Sequence, residues 1–153
     1  MAETPFTFRL VTPQRLLLET EVVSLQAPGS EGYLGVLAHH APLITMLRAG
    51  RLEVRTAEGR TIRFAVTGGF LEVSRNRATV LADAAERAKE IDRSRAEAAL
   101  LRAEKRLRHL QGGAESIRHS EGAEGDGPID RDRALRALER AKTRLSVSGT
   151  ERE

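Results

Sequence analysis

The apolar residues of this 153-residue chain change their spacing once, close to Asp83, and this change constrains the fold more than any other feature. Before Asp83 they recur mainly at every second residue, the period that lines one face of a β-strand, as in Phe6, Phe8 and Leu10. After Asp83, glycine and proline are absent until Gly112, and Ala, Glu and Arg dominate, a composition that favours helix. The sequence therefore predicts an α+β chain with its strands first and its helices second.

A hairpin is predicted near the middle of the strand-forming part. Apolar and polar residues alternate over residues 52–54 and again over 62–66, and Ala-Glu-Gly at 57–59 supplies a turn between them. Two alternating runs separated by a short turn that contains glycine are typical of a β-hairpin.

Further short strands are expected after this hairpin. Gly68 and Gly69 are predicted to separate it from a strand over 70–73, and Arg-Asn-Arg at 75–77 is predicted to precede another over 78–81. Several short strands joined by tight turns indicate an N-terminal antiparallel β-sandwich, which we assign to residues 1–85.

Residues 86–148 are predicted to form a C-terminal α-helical hairpin. Apolar residues from Ile91 to Leu110 fall largely at spacings of three and four, so they form an amphipathic stripe. Asp92 is a candidate N-cap for this helix. A second helix is expected to begin near Asp130.

Two other segments of this region are expected to lack regular structure. The segment 112–128 contains five glycines and a proline, so we predict a flexible loop between the helices. Residues 149–153 are predicted to form a frayed tail.

Composition restricts the functions open to the chain. It contains no cysteine, which removes disulfides, thiolate metal sites and cysteine nucleophiles. No apolar run approaches the roughly 20 residues that span a bilayer, and the first residues resemble neither a signal peptide nor a transit sequence. We therefore expect a protein without a membrane span that stays in the cytosol.

The net charge of +3 and the sequence pI near 9.9 leave one alternative open, a basic helical module that binds nucleic acid. Arginines interleaved with acidic residues, and only one Tyr and four Phe, argue against it.

A further alternative is a metal enzyme built on His39 and His40. Neighbouring side chains usually point in different directions and no carboxylate-rich ligand set follows them, so we predict no metal site.

Three segments together carry a resemblance to a known family. They are GSEGYLGVLAHHAPLITMLRAGRLEV at 29–54, GGFLEV at 68–73 and TVLADAAERAKEID at 79–92. This combination closely resembles the epsilon subunits of bacterial rotary ATP synthases. The resemblance implies a non-catalytic subunit of the central stalk of the proton-translocating enzyme, peripheral on the cytoplasmic face of the cell membrane.

The resemblance also implies partners. The sandwich would bind the gamma subunit and the c-ring and turn with them, and the region containing Glu31, Tyr33 and His40 would face the c-ring or the stalk. The helices would fold against the sandwich or extend into the catalytic head, where transient contact with the beta and alpha subunits inhibits ATP hydrolysis. The basic residues of the last helix suit an acidic surface there. They are Arg131, Arg133, Arg136, Arg140, Lys142 and Arg144.

A last implication concerns a nucleotide. Some members of the family bind ATP through an Ile/Leu-Asp-x-x-Arg-Ala motif, which matches residues 91–96 and includes Asp92 and Arg95. Arg140 and Arg144, four residues apart, could close over the phosphates. The resemblance thus implies no required cofactor but suggests a regulatory ATP. The alternative is that Asp92 only caps the helix while Arg95 makes surface pairs.

Overall fold

The computed structural model describes residues 3–111 and 131–150, and within these ranges the chain forms seven strands, one 3-10 turn and two α-helices. The strands are β1 (Phe6–Val11), β2 (Leu16–Gly29), β3 (Gly32–Val36), β4 (Leu43–Thr56), β5 (Thr61–Ser74), β6 (Arg77–Ala82) and β7 (Ala85–Arg87). A 3-10 turn at Ala88–Glu90 leads to α1 (Arg93–Gln111) and α2 (Arg131–Val147). This order confirms the predicted sandwich followed by a helical hairpin.

The strands close on themselves. Hydrogen-bonded neighbours follow the order β1-β6-β5-β4-β2-β3 in the described residues, and β1 also pairs with β2. β2 permits this closure because its first part, residues 16–22, pairs with β1 while residues 25–29 pair with β3. Closure reduces the number of open strand edges, which present unpaired backbone groups, although β3 pairs with β2 alone among the described strands. One pairing departs from the predicted antiparallel arrangement, since β1 and β6 are parallel where they complete the ring.

The period-two pattern defines the core as predicted. Phe6, Phe8 and Leu10 of β1 are at most 2% exposed, as are Leu52 and Val54 of β4. Burying one such Phe, Leu or Val side chain stabilises the fold by about 1.5–3 kcal/mol. The sandwich therefore contains a core of its own that the helices do not need to complete.

The prediction that Gly68 and Gly69 separate two strands is wrong, because β5 runs through both. Their φ angles are +128° and +123°, which strain any residue other than glycine. A Cβ atom on Gly69 would lie 2.0 Å from the carbonyl oxygen of Leu81 in β6. The positions of β5 that lie in the sandwich core are even-numbered before the glycines, at 62, 64 and 66, and odd-numbered after them, at 71 and 73. The two glycines thus let one continuous strand reverse the alternation of its buried and exposed side chains.

The predicted N-cap is confirmed at the start of α1. Oδ1 of Asp92 accepts a hydrogen bond from the backbone N–H of Arg95 at 3.0 Å, and the carbonyl of Asp92 accepts one from Ala96 at 3.0 Å. The first of these bonds satisfies a donor that has no partner within the helix. Asp92 therefore has a structural role whatever else it does.

Alanines hold the two helices together. Ala96 and Ala103 in α1, and Ala134 and Ala141 in α2, are at most 3% exposed. Within each helix the two alanines are seven residues apart, so they lie on one face, and their small size lets the backbones approach closely. We refer to these four residues as the alanine seam.

Some predictions fall on other residues. The predicted loop 112–128, the helix start near Asp130 and residues 151–153 of the predicted tail lie outside the described residues. In the described part of that tail, the carbonyl oxygen of Thr150 accepts a hydrogen bond from Arg63 of β5.

Candidate functional site

A cavity of about 360 Å³ lies where the helical hairpin meets the sandwich. Its walls come from β5, from residues 84–86 at the beginning of β7, from the start of α1 and from the last turns of α2. This volume is near the lower end of the range for small-molecule sites. The strands supply a rigid wall, whereas the helices supply most of the charged groups.

All four residues predicted to bind ATP line this cavity: Asp92, Arg95, Arg140 and Arg144. Asp92 and Arg95 lie at the start of α1, and Arg140 and Arg144 lie one turn apart near the end of α2. The structure therefore brings together two pairs that are far apart in sequence. One carboxylate oxygen of Asp92 caps α1, and the other can still accept a hydrogen bond from a ligand. The predicted structural and ligand roles of Asp92 are therefore compatible.

The charges of the cavity are mixed. Nε of Arg144 lies 2.8 Å from Oε2 of Glu86 in β7, and both side chains are partly exposed. Glu90 also lines the cavity. Among the described residues, the side chains of Arg95 and Arg140 form no ion pair. An anionic ligand would thus meet two unpaired arginines and would compete with Glu86 for a third.

A smaller groove of about 160 Å³ continues between the helices and shares Arg140 and Arg144 with the cavity. Its floor is alanine, and Arg102 and Arg106 form its α1 side. Sequence analysis missed both arginines, although Arg102 follows Arg95 by seven residues and Arg106 follows Arg102 by four, which places them near one helix face. It also missed Glu86, and nothing local marks that residue because its position beside Arg144 depends on docking of the helix.

Of the predicted rotor-facing residues, Glu31 and Tyr33 are exposed and His40 is partly exposed, and they are not all adjacent. Glu31 is at the tip of the β2–β3 hairpin, and Tyr33 follows it at the start of β3. The Tyr33 hydroxyl accepts a hydrogen bond from the backbone N–H of Arg51 at 3.1 Å, and the Arg48 guanidinium lies 5.6 Å from its ring centroid. His40 lies beyond the other end of β3. The structure therefore groups Glu31 with Tyr33 and separates them from His40 along that strand.

The His39–His40 segment is anchored by a residue that the sequence analysis treated only as part of a turn. Asn76 Oδ1 accepts a hydrogen bond from the backbone N–H of His39 at 2.9 Å, and its Nδ2 donates to the carbonyl of Pro5 at 3.1 Å. A His40 ring nitrogen, Nδ1, lies 2.7 Å from the carbonyl oxygen of Ala41. Across residues 3–111 and 131–150, no group of three His, Asp or Glu side chains is placed to hold a metal ion.

The six basic residues predicted to form an inhibitory surface divide into two sets. Arg140 and Arg144 are partly buried at the cavity. The other four are exposed to solvent: Arg131, Arg133, Arg136 and Lys142. The second set is therefore the more accessible to another protein while the helices are docked.

An exposed apolar surface on the sandwich was also missed. Met46 of β4 is paired with Phe70 of β5, and Phe70 with Leu81 of β6, so the three side chains form a row across three strands. Ile44 lies two residues before Met46 on the same strand face. Their exposed fractions are 48–74%. We call these four residues the apolar surface; contiguous exposed apolar residues commonly mark interaction sites.

No helix within the described ranges combines the length and the apolar composition that a membrane crossing requires. The charged faces of α1 and α2 account for this result.

Comparison with known proteins gives consistent matches. Residues 5–88 match the family model of the ATP synthase delta/epsilon chain β-sandwich domain, and residues 89–121 match that of its long α-helix domain. The ATP synthase epsilon chain of Pelotomaculum thermopropionicum is 54% identical over 70% of this chain and 79% of its own length. That of Moorella thermoacetica is 49% identical over 71% of this chain and 81% of its own.

A solved structure supports the fold independently. A chain in the Euglena gracilis mitochondrial ATP synthase assembly, which includes OSCP, F1 and the c-ring, superposes with a TM-score of 0.73. It shares 24% sequence identity, and the match covers 93% of this chain and 79% of the Euglena chain. At this identity, the likeness concerns the fold alone.

Proposed function

The chain belongs to the ATP synthase delta/epsilon family, and we propose that it is the epsilon subunit that couples rotor rotation to ATP synthesis and inhibits ATP hydrolysis through its helices. In this role it performs no bond chemistry, because catalysis belongs to other subunits. The proposed location is peripheral, on the cytoplasmic face of a bacterial membrane, and protons are the proposed coupling ion. The relatives named ATP synthase epsilon chains support the assignment of this chain as an epsilon subunit.

The observation that carries the regulatory part of the proposal is the small contact between the helical hairpin and the sandwich. Its buried apolar cluster consists of Ala65, Ala88 and Val147, with Ile91 packed against them. The core of the sandwich is a separate and larger cluster. Small, partly polar contacts between structural units allow relative motion more readily than a shared core does. This arrangement supports a hairpin that leaves the sandwich and extends along the stalk while the sandwich stays folded.

The sandwich is proposed to bind the gamma subunit and the c-ring. The apolar surface is the proposed gamma contact, because burying four large apolar side chains against a partner is favourable and leaving them in water is not. Glu31, Tyr33 and His40 remain the proposed contacts with the c-ring or the stalk. Met46→Ser combined with Phe70→Ser would weaken assembly with gamma, measured by co-purification, whereas Leu101→Ser on exposed α1 is the matched control. Unchanged assembly of the double variant would contradict this placement.

The cavity is the proposed site for a regulatory ATP. The guanidinium groups of Arg95 and Arg140 would hold phosphate oxygens, since arginine forms paired hydrogen bonds with phosphate. Asp92 retains acceptor capacity for a ribose or base group after its Oδ1 caps α1. A nucleotide touching α1, α2 and β5 together would stabilise the docked hairpin by mass action and so relieve inhibition.

Calorimetric titration of ATP into the whole chain tests this site. Arg140→Gln is expected to weaken binding by about ten-fold or more, because it removes a charge-assisted hydrogen bond of roughly 1.5–3 kcal/mol. Asp92→Asn keeps the N-cap and so reports the ligand role of the carboxylate. Arg133→Gln, on an exposed part of the same helix, is the matched control and should bind like the original chain. No saturable binding by the unmodified protein would remove the nucleotide proposal.

The four exposed basic residues of α2 are proposed to contact an acidic surface of the catalytic beta and alpha subunits when the hairpin extends. Arg133→Gln with Arg136→Gln would raise ATP hydrolysis by the reconstituted ATP synthase, and added salt would reduce the difference because it screens exposed charges. Hydrolysis equal to that of the unmodified complex would contradict the proposed contact.

The nucleic-acid alternative gains no support from the relatives found, and a gel shift at low salt remains its test.

A further inference from the structure

The C-terminal end of α2 is attached to the sandwich by three separate contacts. Arg144 Nε lies 2.8 Å from Glu86 Oε2. Val147 is completely buried in the small cluster with Ala65. Nη1 of Arg63 donates a hydrogen bond to the carbonyl oxygen of Thr150, just beyond the helix.

Arg63 is positioned for this bond by the sandwich itself. Its Nε donates to Oε2 of Glu53 on the neighbouring strand at 2.6 Å, and the two side chains are 24% and 29% exposed. A guanidinium with one side fixed by a carboxylate can present its other N–H groups with little further loss of freedom. The last carbonyl groups of a helix lack donors within the helix, and that end carries partial negative charge. Thr150 lies three residues beyond α2, so its carbonyl is not one of these groups, but Arg63 brings a positive charge toward the negative end of the helix.

The alanine seam has a different role. It joins α1 to α2, whereas the principal contacts of the hairpin with β4 and β5 are made by α2. Arg63, Val147 and Thr150 do not line the cavity, although Ala65, against which Val147 packs, does. The docked position thus has a source of stability that is distinct from the ligand groups at Arg95 and Arg140.

We propose that Arg63, Val147 and Thr150, together with the Arg144–Glu86 pair, form a clasp that keeps the hairpin docked in the absence of any ligand. The clasp sets the resting balance between docked and extended helices, and a ligand in the cavity adds to it. Its role in inhibition rests on the proposed function, but docking itself does not.

The test measures docking in the whole chain without nucleotide. The chain has no cysteine, so spin labels attach only to cysteines introduced at Glu72 on the sandwich and Arg136 on α2, both exposed. Distances between the labels are compared in the unmodified background, in Arg63→Gln, in Val147→Ala and in the double variant. Arg51→Gln is the matched control, because Arg51 also faces Glu53, at 3.9 Å, and forms no hydrogen bond or ion pair with the described residues of α2.

Each single change is expected to lower the ratio of docked to extended molecules by about ten-fold, and the double variant by more. The double variant should therefore show a second, longer distance population, while the control keeps the single docked distance. Circular dichroism verifies that the sandwich remains folded. One docked distance in all variants overturns the clasp, as does an extended majority in the unmodified background.

This design separates the clasp from the proposed function. If the clasp variants release the hairpin but ATP fails to bind the unmodified chain, the clasp stands and the nucleotide proposal fails. If they release it but hydrolysis by the reconstituted complex does not change, the clasp stands and the inhibitory role fails.

Discussion

Substitution of Asp92 is the most informative local perturbation, because this residue is both the N-cap of α1 and a predicted ligand group. Its Oδ1 is 3.0 Å from the backbone nitrogen of Arg95, the third residue of the helix. Replacing a capping Asp with Ala costs about 1 kcal/mol, within a range of roughly 0.5–2 kcal/mol. Asn caps about as well as Asp, so Asp92→Asn should cost little.

Amide hydrogen exchange gives the direct measurement. A cost of about 1 kcal/mol corresponds to roughly a five-fold change in an opening equilibrium, so Asp92→Ala should raise the exchange rate of the Arg95 amide by about that factor. Asp92→Asn should leave the rate nearly unchanged. Glu97→Ala is the control, because it removes an exposed pair with Arg93 at 3.0 Å that is worth only about 0.3–0.5 kcal/mol.

Two results would refute this reasoning. One is equal protection of the Arg95 amide from exchange in Asp92→Ala and in the unmodified chain. The other is an equal loss of that protection in Asp92→Ala and in Asp92→Asn. If the cap is verified, lost nucleotide binding in Asp92→Ala says little about the ligand, whereas lost binding in Asp92→Asn assigns the carboxylate to the ligand. The two variants therefore separate a helix effect from a site effect.

Three further predictions concern packing and charge. Ala141→Leu overfills the alanine seam at about 1–3 kcal/mol, which hydrogen exchange in α2 should show as lost protection; retained protection would contradict the close packing. Gly69→Ala forces a Cβ against the Leu81 carbonyl at positive φ, so thermal unfolding should reveal a loss above about 2 kcal/mol, and an unchanged Tm would contradict this geometry. The hydrogen bond from Arg55 lowers the pKa of Glu3, so the pair favours the fold above the ordinary carboxyl pKa and loses this effect as pH falls through the lowered one. Titration by NMR should find a higher Glu3 pKa in Arg55→Gln, and an unaltered value would exclude this cause.

Features that depend on neighbouring residues in the chain were predictable from sequence. The period of apolar residues identified the strands and helices, and the carboxylate of Asp92 before a helix-favouring run identified the cap. The failure at Gly68 and Gly69 has a physical cause, since glycine breaks a strand as readily as it reorients one. Only pairing with β4 and β6 on both sides decided that β5 continues.

The sequence alone determined that this chain has a strand-forming part and a helix-forming part, and its motifs pointed to the family. The tertiary structure decided which distant residues meet: Arg140 joined Asp92 at one cavity, and Glu86 paired with Arg144, because α2 packs back onto β5. It also decided that Met46 and Phe70 stay exposed, since their strand face is not covered by the helices. Local pattern encodes the preferences of short segments, whereas these contacts arise only when two folded parts dock, and no short stretch of sequence carries that information.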